Sequence, residues 1–99
     1  MPDNDFLIKM KSAEILVTGK VQGVWFRDFV NKNATILNLN GWVKNNPDGT
    51  VSAVIEGEEL IINQLIEQIK IGSPLSNVDN IKVSWKPFVN KFNSFKIIR

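Results

Sequence analysis

Gly19-Lys20-Val21-Gln22-Gly23-Val24-Trp25-Phe26-Arg27 joins a strand-like run, Ala13 to Thr18, to a helix-like run, Phe26 to Leu37. A turn at such a junction aims several backbone N–H groups and the positive end of the helix dipole at one point, where an anion can bind. Glycine supplies the positive φ or close approach that a backbone curling around an anion needs. Arg27 falls in the first helical turn beside that point. Its planar guanidinium can grip two oxygens of a phosphate or carboxylate at any physiological pH. The stretch reads as an anion cradle; the plainer reading is a β-to-α turn with a surface arginine. No Gly-Lys-Ser/Thr closes it and Gly-x-Gly-x-x-Gly is absent, which removes the fingerprints of the common nucleotide-binding loops.

Outward from the cradle, Phe26, Val30, Ala34 and Leu37 recur at helical spacing, and Asn40-Gly41 stops the helix with Leu39 turned back to the core. Trp42 to Asn45 and Thr50 to Glu56 flank the turn sequence Asn46-Pro47-Asp48-Gly49, which predicts a β-hairpin with Asn45 as its last residue before the turn. Gly57 with Glu58 and Glu59 opens a second helix whose apolar stripe is Ile62, Leu65, Ile66 and Ile69, ending at Gly72 and Pro74. Ile81, Val83 and Trp85 alternate on a fourth strand that Pro87 ends, and Phe95 with Ile97 marks a fifth. Strand, helix, strand, strand, helix, strand predicts an α+β, ferredoxin-like βαββαβ sandwich. Its antiparallel sheet carries an added C-terminal strand, with both helices on one face.

The 99 residues support one domain over 13–99, preceded by a loose tail over 1–12. No apolar run approaches the ~20 residues of a membrane span, and the N-terminus lacks the apolar stretch of a signal peptide, so a cytoplasmic protein is expected. There is no cysteine and no histidine, which removes disulfides, thiolate zinc sites and the commonest general base. Chemistry falls to arginine, lysine, amides, hydroxyls, carboxylates and backbone. A net charge of +2 favours anionic ligands only slightly.

Gly19 through Arg27 resembles the Gly-x-Val-Gln-Gly-Val-x-Phe-Arg signature of the acylphosphatases. Gly41 through Val51, Gly-Trp-Val-Lys-Asn-Asn-Pro-Asp-Gly-Thr-Val, resembles that family's second conserved block. With Gly57 and Gly72-Ser73-Pro74, the likeness runs from about Ala13 to Arg99. It implies the same fold and hydrolysis of the carboxyl–phosphate bond of acyl phosphates, without metal or other cofactor. By the same likeness Arg27 binds the phosphate and Asn45 orients the attacking water. The backbone of the loop Gly19, Lys20, Val21, Gln22, Gly23, Val24, Trp25 and Phe26 would cradle the phosphoryl oxygens. Two departures stand out: Asn38 where Leu-Gly-Leu is common, and Ser52-Ala53 where a glutamate-containing run is usual.

Plainer readings stand beside these. Asn45 is also a turn-favouring residue, and Lys20 and Lys44 are also solvated charges that steer an anion. Trp25 and Trp42 read as candidates for the site rim, Trp25 equally as an exposed aromatic, and Trp85 as core. A rival is an RNA-binding module of the same element order, which would stack bases on third-strand aromatics. Thr50 to Glu56 has none, so no nucleic-acid partner is expected. Another is a non-catalytic domain of this kind within a larger maturation factor. The expectation is a stand-alone monomeric enzyme acting on a small acyl phosphate, with no membrane partner.

Overall fold

Aliphatic side chains at every second position make the first strand. In the computed structural model, which describes residues 8–99, β1 (Met10–Lys20) turns Ala13, Ile15 and Val17 into the core and Glu14 and Leu16 to the other face. The expected tail over 1–12 falls partly outside the described residues. Its last part, Met10 to Ser12, is already paired with Glu58, Gly57 and Glu56.

Helix α1 (Phe26–Ile36) buries Phe26, Val30 and Ala34. It ends in a Schellman motif: Leu39 N–H donates to the Ala34 carbonyl at 2.9 Å and Asn38 N–H to Thr35 at 3.1 Å. Asn38 takes the left-handed conformation there, φ 58°. Asparagine tolerates that better than other residues bearing a Cβ, which accounts for its replacing glycine. Leu39 then drops into the core, 3% exposed.

Strands β2 (Asn40–Asn45) and β3 (Val51–Glu58) form the predicted hairpin. The Asp48 carboxylate accepts from the Thr50 hydroxyl at 2.6 Å and the Thr50 N–H at 3.0 Å, and these bonds hold its pKa below the ordinary value. Asn46 Nδ2 donates to Ser52 Oγ at 2.7 Å, so the unusual Ser52 fastens the turn.

Helix α2 (Glu59–Ile71) buries Ile62, Leu65, Ile66 and Ile69 and starts two residues after Gly57, because β3 continues through Glu58. β4 (Asn77–Pro87) and β5 (Phe95–Ile98) complete a sheet of order β4-β1-β3-β2-β5. The first four strands pair antiparallel, and the added β5 runs parallel to β2. Both helices share one core with Ala13, Ile15, Val17, Val43, Ala53 and Ile55. Among the described residues, the other face of the sheet carries no helix. Trp85, expected in the core, is 41% exposed near the end of edge strand β4.

The segment between β4 and β5 is pinned by one buried acid. Glu56, 3% exposed, accepts from Lys91 N–H at 2.7 Å and Val89 N–H at 3.2 Å. Two charge-assisted bonds offset the burial of its carboxylate. Asn40 Nδ2 to Phe92 O and Gly41 N–H to Ser94 O carry the chain on into β5.

Candidate active site

The β1–β4 register shifts between Thr18 and Gly19, a bulge that turns the chain out of the sheet. Gly19 has φ 129°, and a Cβ there would overlap the Asn77 carbonyl oxygen, so no larger residue fits the turn. The loop then runs from Val21 to α1, with Gly23 at φ 70°. Trp25 occupies the N-cap at φ 62°, ψ 21°, and supplies no side-chain cap. A bulky non-glycine residue in that region stores about 1–3 kcal/mol of strain. The usual serine, threonine or aspartate cap would consume the first N–H groups of α1. Among the described residues, the N–H groups of Gln22 through Asp28 donate to no protein acceptor. They and the helix dipole are available to an anion.

A side chain sets the distance from this loop to the hairpin. Gln22 Nε2 donates to both the Asn46 and Thr50 carbonyls at 2.8 Å. The amide is therefore a brace, and through Asn46 it fixes the neighbouring Asn45 against the loop. Gln22→Ala is expected to lower stability by about 1–3 kcal/mol, two net hydrogen bonds' worth, and to reduce kcat as the hairpin loosens. Gln22→Glu should do no better, since a carboxylate faces two carbonyl oxygens. Urea melts and steady-state kinetics on the two variants check this; unchanged kcat with lowered stability would make the brace structural only.

Arg27 sits one residue into α1. Its Nη1 donates to the Ile98 carbonyl at 3.2 Å, so parallel strand β5 aims the guanidinium. Among the described residues no carboxylate forms an ion pair with it. Asn45 ends β2 with its Oδ1 buried and without a hydrogen-bond partner. A buried amide oxygen left unpaired costs about 1–3 kcal/mol unless a ligand or water satisfies it.

These groups meet. A pocket of about 270 Å³ is lined by Val21, Gly23, Trp25, Arg27 and Asn45, with Asp28 in the first helical turn and Arg99 just beyond β5. Larger concavities of about 440 and 480 Å³ lie on the bare sheet face and hold neither Arg27 nor Asn45. The smaller pocket is the better candidate because charged and polar groups converge in it. Trp25, 75% exposed, forms its rim. Of the other residues expected in the cradle, Gly19 and Lys20 remain in β1, paired with Val78 and Asn77. Val24 is buried, its carbonyl accepting from Ser73 Oγ at 3.2 Å. Trp42 lies on the bare face, not at the rim, with Lys44 Nζ 5.4 Å above its ring. Arg99 and the Ile98 carbonyl were not foreseen. Only the β2–β5 pairing brings the end of the chain to Arg27, and no local sequence signal announces it.

Comparison with known proteins identifies the family. The Acylphosphatase family profile matches residues 13–97. An acylphosphatase of Methanococcoides burtonii is 46% identical over 87 residues, covering 88% of this chain and 91% of its own length. The crystal structure of acylphosphatase from Bacillus subtilis superposes with a TM-score of 0.87 at 39% identity, over 90% of this chain and 99% of that one. Full-length HypF in its phosphate- and nucleotide-bound form contains a similar region, TM-score 0.84 at 36% identity, covering 94% of this chain but 12% of that one. The chain belongs to the acylphosphatase family of hydrolases.

Proposed function

We propose that this protein hydrolyses the carboxyl–phosphate bond of acyl phosphates, with Arg27 holding the phosphoryl group and Asn45 the attacking water. The observation that carries the reading is the pairing, in one small pocket, of an arginine aimed by Ile98 O with a buried, unpartnered amide oxygen across an uncapped helix N-terminus. The near-complete match to named acylphosphatases supports the same chemistry.

Three phosphoryl oxygens meet the loop N–H groups and the Arg27 fork, which gather charge as it spreads over them in the transition state. Asn45 offers an acceptor and a donor, enough to hold a water in line with phosphorus without deprotonating it. Water oxygen bonds to phosphorus as the phosphorus–acyl oxygen bond breaks. The carboxylate leaves with the bonding pair, and the water's proton passes to a phosphoryl oxygen, giving orthophosphate. A carboxylate is a good leaving group, so positioning and charge stabilisation suffice in a chain without histidine or cysteine.

The test is hydrolysis of an aromatic acyl phosphate by the purified protein, with stable phosphate esters as controls. Turnover of the anhydride alone is expected. Orthophosphate should inhibit competitively, and exhaustive chelation should leave the rate unchanged. Activity lost on chelation and restored by a divalent ion would overturn the metal-free mechanism.

A further inference from the structure

We propose that the bare face of the sheet binds single-stranded nucleic acid. The inference rests on what the strand registers bring together there and is independent of the hydrolytic site.

One row across the sheet reads Lys82, Leu16, Ser52, Lys44, Ile98; the next reads Ser84, Glu14, Val54, Trp42, Lys96. Lysines therefore stand toward both edges, and the floor between them is apolar and hydroxyl except for Glu14. Lys86 extends the β4 side, and Lys91 rises from the segment that Glu56 pins. This face holds five of the chain's twelve cationic side chains and three of its ten acids, Glu14, Glu56 and Glu58, of which Glu56 is buried under two N–H donors. Among the described residues, none of the five lysines is in an ion pair. The chain's small positive excess thus falls on this face, and lysines facing one way without ion-pair partners suit a polyanion.

The floor favours nucleic acid over other polyanions. Trp42 walls three adjoining concavities, of about 440, 480 and 290 Å³, the last two shared with Phe92. Lys44 and Lys91 sit 5.4 and 5.8 Å from the Trp42 and Phe92 ring centroids. Each ammonium lies over its ring, so a base that takes its place on the aromatic face leaves the lysine beside it for a phosphate, the pairing of ring and cation that single-strand binders use. At ~4.8 Å between strands, β4 and β2 lie about 14 Å apart, room for a base and its backbone laid across the sheet. Exposed Glu14, mid-floor, can accept from a base amino group. The sequence reading set nucleic acid aside because β3 carries no aromatic; in the fold the ring comes from β2.

The experiment is fluorescence anisotropy of a labelled oligouridylate titrated with the whole protein. Saturable binding in the micromolar range is expected at low salt, weakening about 10²- to 10³-fold for a tenfold rise in salt if three or four phosphates are contacted. Lys82→Glu with Lys96→Glu should weaken binding more than tenfold while leaving acyl-phosphate hydrolysis intact, which also shows that the variant folds. Trp42→Leu should lose about 5- to 150-fold, the range for one stacked base. Arg27→Ala should bind like the wild type, which separates this face from the hydrolytic pocket. No saturable binding at low salt, full binding by the charge-reversed variant, or indifference to Trp42→Leu would overturn the proposal. Capture by anionic vesicles in place of the oligonucleotide would overturn it too.

Discussion

Arg27→Ala is expected to lower kcat/KM for acyl-phosphate hydrolysis by at least ~10²- to 10³-fold and to weaken inhibition by orthophosphate alongside it. The size follows from where the guanidinium stands. One N–H is taken by the Ile98 carbonyl at 3.2 Å, which leaves most of its donors for the phosphoryl oxygens. That carbonyl also fixes the orientation of the fork, so little reorganisation is left for the transition state to bear. In the proposed role the fork meets phosphate in substrate, transition state and product alike, so both turnover and product affinity should fall. Arg27→Lys should recover little, since an ammonium gathers its donors at one atom and cannot reproduce the planar fork that reaches the Ile98 carbonyl on one side and two phosphoryl oxygens on the other. Paired kinetics and phosphate titrations measure the two losses. Near-normal turnover in Arg27→Ala would remove Arg27 from the site.

Local chemistry accounts for what was legible in the sequence. The βαββαβ order could be read because the apolar positions of β1, α1, α2 and the hairpin keep strict periods, and the Asn46-Pro47-Asp48-Gly49 turn admits one connection. The Arg27 and Asn45 assignments came from two motif blocks whose turns lie close in the fold, joined by Gln22. What escaped depends on pairing between distant segments. That β5 joins β2 in parallel is set by Glu56, Asn40 and Gly41 gripping the chain from Val89 to Ser94, contacts 33 to 53 residues apart in sequence. Gln22 read as a loop residue because a side-chain bond to two carbonyls has no sequence period. Trp42 and Trp85 were misplaced for one reason. Alternation tells which residues share a face, but not which face the helices cover or how far along an edge strand that cover extends.

Asn45→Ala should separate the two roles in the pocket, lowering kcat by ~10²- to 10³-fold, as for loss of one preorganised donor, while barely changing orthophosphate binding. Asn45 is held at the end of β2 with its amide oxygen buried and unpartnered, which suits an acceptor reserved for a water. A neutral amide contributes little to holding a dianion beside Arg27 and the free N–H groups of the loop. The loss should therefore fall on the attacking nucleophile. The alanine variant also removes an unpaired buried oxygen, so its melting temperature should hold or rise, and a drop in kcat cannot then be assigned to unfolding. Asn45→Asp is the sharper test. Its carboxylate still accepts from water, but it repels the phosphoryl oxygens and lacks the amide donor, so it should turn over no faster than alanine and bind orthophosphate less well. Kinetics, phosphate titration and melting curves on all three proteins decide the matter. If Asn45→Ala binds orthophosphate far more weakly yet keeps its kcat, the amide belongs to the phosphate cradle and another group must orient the water.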